Sequence, residues 1–262
     1  MVKRGLDSST KSTGLLARDE GSPTIVTNPG ADSPFLLLGD HAGRVIPRSL
    51  GTLGLSPAER RRHIAWDIGV AGLGRVLSAA LDATFIRQRY SRLVIDCNRD
   101  PTRPDAICAV SDGAVVPGNA DLTPGQRQAR LAAIAAPYHA AIAAALDRRS
   151  DAPTTLIALH SFTPVMAGFA RPWRFGVLHA GDSAYSRAVL ARLTAEFGPD
   201  IVGDNQPYRM DEVDYTIPHH AGPRGLDYLE LEVRQDLIGD PAGQRAVAGI
   251  IARVLPQALA AA

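Results

Sequence analysis

The stretch PFLLLGDHAG, residues 34–43, is a short apolar run that stops at an Asp-His pair and then a glycine. An apolar run of this length, bounded by turn-compatible residues, reads as a buried strand. Strands of this kind deliver the polar residues that follow them to the carboxyl edge of an α/β sheet, where ligands bind. His41 is therefore the residue around which the rest of the chain is read.

The same pattern recurs outward along the chain. Residues 83–87 and 92–96 are β-like, and the second run ends in Cys97-Asn98-Arg99-Asp100-Pro101. Residues 154–159 (TTLIAL) end in His160-Ser161, residues 175–178 end in His179, and Ile201 and Val202 suggest a short fifth strand. Residues 228–234 alternate, with Leu229, Leu231 and Val233 on one face and Glu230, Glu232 and Arg234 on the other. Between the strands lie helical patterns. Ser56-Pro57-Ala58-Glu59 has the form of a capping box and predicts a helix start. Ile68, Leu73, Val76, Leu77 and Leu81 continue near-helical spacing, but Gly69, Gly72 and Gly74 weaken the middle, and a break before Asp67 would let Asp67 open a second helix near its positive end. An alanine-rich helix is expected over residues 123–149 with a kink at Pro137, and further helices over 183–197 and 241–260. Residues 101–119 and 204–225 have no period and read as long loops beside the site.

This alternation predicts one α/β domain, a mostly parallel mixed sheet flanked by helices, over residues 34–262. Residues 1–33, rich in small and polar side chains, are expected to be a flexible leader or an arm packed on the sheet edge. On this plan His41, Asn98-Arg99, His160 and His179 all project from strand ends and share one edge.

Composition narrows the function. The 28 basic and 27 acidic residues give a net charge of +1, so nothing global points to nucleic acid or an anionic membrane as a partner. Cys97 and Cys108 are the two cysteines and form no CxxC, which argues against a disulfide framework and a cysteine zinc site and fits a reducing, cytoplasmic setting. The N-terminus is charged throughout and lacks a signal-peptide core, and no run approaches the roughly 18 consecutive apolar residues of a spanning segment.

Two histidines and a carboxylate at one sheet edge suit zinc, whose usual ligands include imidazole and carboxylate; His41, Asp67 and His160 are the expected set, with another divalent metal as the alternative. Each histidine alone reads more readily as a turn residue bonded to backbone, and it is the joint pattern that favours the metal. Glu232 is either a general base for hydrolysis or half of a solvated Glu-Arg face. Asn98, Arg99 and Arg92 are candidates to grip a substrate carboxylate, for which guanidinium geometry is suited, or else ordinary surface ion pairs. His220, on a loop, either stabilises an oxyanion or caps a turn, while His63, His139, His179 and His219 take no assigned role. Ser161 has no GxSxG around it, which leaves a serine-hydrolase reading weak.

Taken together, GDHAGRVIP, HIAWDIG, SRLVIDCNRDP, LHSFTP, DNQPY and LELEVRQDLI resemble the N-formylglutamate amidohydrolase family, in order and over roughly residues 34–259. The resemblance implies a zinc-carboxypeptidase and phosphorylase/hydrolase-like fold and hydrolysis of an N-acyl amino acid, with N-formyl-L-glutamate going to L-glutamate and formate in histidine breakdown. The wider group of zinc carboxypeptidases and aspartoacylases carries an Asn-Arg pair for a substrate carboxylate, similar to Asn98-Arg99, and a late-strand glutamate followed two residues on by arginine, similar to Glu232 and Arg234. It also takes two ligands from His-x-x-Glu, whereas His41 is followed by Ala42, Gly43 and Arg44. Asp67 instead resembles the acidic ligand of zinc N-acetylmuramoyl-alanine amidases.

The resemblance thus implies water activated at a metal attacking the acyl carbonyl, Glu232 acting as base and then as proton donor to the leaving amine, and a small-molecule N-acyl amino acid as partner. Two other readings stay open: a relative acting on another N-acyl amino acid or a cell-wall amide, and a non-catalytic binding protein, which would lack a ligand or the base.

Overall fold

Every residue of Phe35–Gly39 is buried, because this strand lies inside a sheet covered on both faces. The computed structural model describes residues 14–181, 183–210 and 214–261. Among them a seven-stranded sheet is built from β1 (Thr24–Thr27), β2 (Phe35–Gly39), β3 (Thr84–Gln88), β4 (Thr155–Phe162), β5 (Phe175–Leu178), β6 (Val202–Asp204) and β7 (Tyr228–Arg234), in the order β1-β3-β2-β4-β7-β5-β6. The block β3-β2-β4-β7 is parallel. At its flanks β1 pairs antiparallel with β3 and β5 antiparallel with β7, while β6 runs parallel to β5. The helices are α1 (Val70–Ala80), α2 (Pro124–Arg130), α3 (Ala136–Asp147), α4 (Ala184–Phe197), α5 (Thr216–His220) and α6 (Pro241–Leu259).

The period of two along β2 divides its leucines between two cores. Leu36 and Leu38 pack with Ile134, Tyr138 and Ile142 of the α2–α3 region. Leu37 packs with Leu73 and Leu77 of α1, Val189 of α4 and Val254 of α6. All three leucines are fully buried, each stabilising the fold by roughly 1.5–3 kcal/mol. The run from Pro124 to Asp147 is long and apolar enough by composition to span a membrane; here it covers one face of the sheet.

Several local expectations need correction. The capping box at Ser56 and Glu59 forms, with reciprocal bonds of 2.8 and 3.2 Å, but it starts only a single 3-10 turn, Glu59–Arg61, because the sequence after it offers no apolar stripe. Asp67 does not open α1. The helix begins at Val70, behind Gly69, whose φ of 89° and close approach to Ile238 (an added Cβ would lie 2.2 Å from its carbonyl oxygen) exclude a side chain. Residues 92–96 are a turn and not a strand: Val94 N–H bonds Ser91 O and Asp96 N–H bonds Ala106 O. Pro137 falls in the first turn of α3 behind a π-helical segment, Leu131–Ala135, which absorbs its missing N–H as a widened turn. Within the expected loop over 204–225 lies the short helix α5. Of the expected leader, residues 1–13 lie outside the described residues, and residues 24–27 are the edge strand β1.

The reversal of β5 bears directly on the site. Its C-terminal end faces the opposite edge from that of β4, so His179 leaves the shared edge and pairs with Asp204, Nε2 to Oδ1 at 3.0 Å. After β6 the chain folds back across Gly176, where an added Cβ would lie 2.0 Å from Gln206 O. Only glycine lets this segment, which continues into Tyr208 and Arg209, lie that close to the sheet.

Candidate active site

His41 leaves β2 in a turn in which Ala42 N–H bonds Gly39 O. Asp67, far along the chain, donates its backbone N–H to His41 O at 2.9 Å, which fixes one residue against the other. His160 lies within β4, two residues before its end rather than beyond it. One ligand atom from each of His41, Asp67 and His160 lies within 4.8 Å of the others, and all three residues are buried. Asp67 Oδ2 is 3.0 Å from His160 Nδ1 and 3.6 Å from His41 Nδ1.

The far nitrogen of each imidazole faces a second carboxylate. His41 Nε2 is 2.6 Å from Asp96 Oδ1. His160 Nε2 is 3.4 Å from Asp40 Oδ2 and 3.8 Å from Glu230 Oε1, and Thr216 Oγ1 donates to Asp40 Oδ1 at 2.8 Å. Carboxylates in this position orient the rings of metal-binding histidines and raise their basicity. They also leave His41 Nδ1 buried without a hydrogen-bond partner, directed at Asp67. The residues therefore fit a divalent cation that takes nitrogen and oxygen ligands, zinc being the usual one. Charge agrees with this. Asp40, Asp67, Asp96, Glu230 and Glu232 are all buried around the two imidazoles, with Arg92 beside them. Burial opposes ionisation of Asp67, but His41 and His160 outweigh it and hold the carboxyl well below its usual range. Burial likewise works against charge on His41 and His160, and the surrounding carboxylates raise both.

Glu230 and Glu232 are buried because β7 is an interior strand, not the solvated face that alternation alone allows. Burial pushes Glu232 up to about 7 and Glu230 up to about 8, against the pull of His160. Oε2 of each is buried without a partner. Both glutamates line a cavity of about 470 Å³ that also takes in His41, Asp67, His160, Arg92, Asn98 and Arg99.

Of the expected substrate grips, Arg92 and Asn98 are held by short hydrogen bonds within the protein, while Arg99 meets its carboxylates at longer range. Arg92 binds Asp96 through Nε and Nη2 at 3.1 and 2.6 Å; the turn at 92–96 makes this contact, which an extended strand would pull apart. Asn98 Oδ1 accepts from the N–H groups of Tyr215 and Thr216, and its Nδ2 donates to Asp214, so its amide docks the segment leading into α5. Arg99 lines the cavity with Nη1 at 3.6 Å from Asp214 Oδ1.

Neither His220 nor Arg234 is among the residues lining the cavity. His220 is buried on α5, where its Nε2 meets His139 Nδ1 at 3.1 Å, in a cluster with His219 and Tyr215. Arg234, at the end of β7, pairs with Asp236 at 2.8 Å. His63 lines the cavity with Nε2 3.4 Å from Asp112.

Sequence reasoning passed over Asp40, Asp96 and Glu230. Asp40 enters the sequence reading only as the neighbour of His41, and Asp96 only as the last residue of the β-like run 92–96; the signal available was a carboxylate at the polar end of each apolar run. Glu230 shares a face with Glu232, and only the burial of β7 gives it meaning.

The sequence model of the N-formylglutamate amidohydrolase family matches residues 33–239. Among solved structures, the gene product Atu2144 of Agrobacterium tumefaciens is 38% identical with a TM-score of 0.89, the match covering 94% of this chain and 98% of that one. N-formylglutamate amidohydrolase from Ralstonia eutropha JMP134 is 19% identical with a TM-score of 0.71, the match covering 92% of this chain and 100% of that one, a likeness of fold. No curated protein matches the chain.

Proposed function

The chain belongs to the N-formylglutamate amidohydrolase family, and from that premise we propose that it hydrolyses the amide of an N-acyl amino acid, N-formyl-L-glutamate being the preferred substrate, to release L-glutamate and formate. The observation that carries this reading is the convergence of His41, Asp67 and His160 within 4.8 Å in the cavity that Glu232 also lines.

In this reading His41, Asp67 and His160 hold a divalent ion, zinc first. Such an ion, when bound, supplies Lewis acidity to the acyl carbonyl and lowers the pKa of water. Glu232 takes a proton from the attacking water at its open Oε2. Poised near 7, it is basic enough to accept that proton and acidic enough to return it to the amine nitrogen as the C–N bond breaks. Arg99 holds the substrate's α-carboxylate. Arg92 and Asn98 act one step back, Arg92 by fixing Asp96 against His41 and Asn98 by docking the segment that carries Asp214. His220 and Arg234, which do not line the cavity, are given no step in this reading.

The test is formate release by purified protein of measured metal content, over a panel of N-formyl, N-acetyl and peptidyl substrates. The reading expects N-formyl-L-glutamate to be preferred, loss of turnover on chelation and recovery on adding zinc. Turnover that persists after complete metal removal overturns the metal-assisted part; preference for an N-acetyl or peptidyl substrate overturns the formyl assignment.

A further inference from the structure

Arg92, Arg99 and Arg209 line the cavity. Arg92 is held by Asp96 in a two-point contact, and Arg99 lies 3.6 Å from Asp214 and 3.9 Å from Asp105. Arg209 has no carboxylate in ion-pair range among the described residues. A cavity otherwise rich in acidic groups thus carries one arginine whose charge no protein carboxylate among those residues answers.

The segment presenting Arg209 is fixed in place. Asn205 donates its backbone N–H to Val177 O at 2.9 Å and its side-chain amide to His179 O at 3.0 Å. Arg171, itself buried, donates Nη1 to Tyr208 OH at 3.1 Å and to Thr163 O at 3.3 Å, with its guanidinium carbon 4.8 Å from the centre of the Tyr208 ring. The direction of the Arg171 bond matters. Tyr208 accepts it, so the hydroxyl keeps its own proton to donate, and Tyr208 lines the same cavity. Burial, aided by the charge of Glu232, raises the phenol further and keeps that proton in place at neutral pH. A neutral O–H donor and an unanswered guanidinium side by side on a pinned segment form a receptor for a carboxylate.

We propose that Tyr208 and Arg209 are the specificity subsite for the substrate's second carboxylate, so that the enzyme selects N-acyl amino acids with an anionic side chain over neutral ones. The proposal rests on the functional reading above for the identity of the substrate, since the α-carboxylate common to all such substrates is assigned to Arg99. Arg171 is a positioning residue for Tyr208.

The decisive quantity is the preference ratio of kcat/KM for N-formyl-L-glutamate over its neutral isostere N-formyl-L-glutamine. Arg209→Ala is expected to lower this ratio by about 10- to 100-fold, chiefly through KM of the anionic substrate, Arg209→Lys to restore part of it, and Tyr208→Phe to lower it several-fold. A ratio unchanged in Arg209→Ala overturns the proposal. A second measurement does not depend on turnover: calorimetric binding of glutarate and of its monoamide to wild type and Arg209→Ala. Tighter binding of glutarate by wild type, lost in the variant, supports the subsite even if no formate is released, in which case the functional reading falls alone. Equal binding of the two ligands by wild type overturns the subsite.

Discussion

His41 Nε2 lies 2.6 Å from Asp96 Oδ1, and the other oxygen of the same aspartate accepts two hydrogen bonds from Arg92. With a cation bound, this contact would hold the proton on Nε2 and leave the lone pair of Nδ1 for the ion beside Asp67. In Asp96→Asn this fixed orientation is lost and Arg92 loses the nearer of its two counter-charges, Asp67 remaining at 3.6 Å. Metal affinity is expected to fall about 10- to 100-fold, read by competition with a chromophoric chelator. An affinity equal to wild type would show that Asp96 does not orient the ring.

Glu232→Gln keeps size and removes the basic oxygen. Formate release is expected to drop by about 10²- to 10⁴-fold while bound metal per protein stays as in wild type. Loss of the metal together with activity would assign Glu232 to holding the ion, contrary to its role as base.

Asn98→Ala separates docking from substrate contact. The substitution leaves two backbone N–H groups, those of Tyr215 and Thr216, without their acceptor, and unmet buried donors cost about 1–3 kcal/mol each. A loss of about 2–5 kcal/mol of stability is expected, seen as a lower denaturant midpoint. A variant as stable as wild type with a raised KM would instead make Asn98 a substrate ligand.

The His139 and His220 pair predicts an acid-labile contribution to stability. Burial, reinforced by His139 and His219, holds His220 down to about 3, and burial also lowers His139. Between that value and the unfolded value near 6.5 the unfolded chain binds the extra proton, so stability falls as pH drops through this window. For His220 alone the loss is about 2 kcal/mol from pH 6.5 to 5. Denaturant titrations at several pH values should therefore give a shallower decline in His220→Gln than in wild type; parallel declines would remove His220 from the account.

Legibility in the sequence followed the range of the interactions. β2, β5 and β7 are readable because buried strands announce themselves in local hydropathy; His41 and His160 stand at or near the ends of such strands, whereas Asp67 joins them through a loop contact to His41 and not, as expected, as a helix start. The direction of β5 was not readable, since strand polarity within a sheet is set by pairing and not by composition, and His179 was misplaced with it. The turn at 92–96 is not legible because a run of buried residues such as 93–96 looks the same whether its backbone bonds run to a neighbouring strand or, as here, to Ser91 and Ala106. Asp40 and Asp96 were hidden for a related reason: their partners, Thr216 and His41, lie 176 and 55 residues away.

The missing side chain at position 176 sets the width of the cavity from the far side of its own wall. Tyr208 and Arg209 stand where they do because Gln206 can rest on bare backbone, its carbonyl oxygen 2.0 Å from where a methyl would begin. Gly176→Ala would act as a shim, forcing the Gln206 backbone off the sheet and carrying Tyr208 and Arg209 outward with it while every side chain in the cavity keeps its identity. For an engineer seeking to admit bulkier acyl amino acids, this hidden position is a more economical handle than the charged residues in plain view.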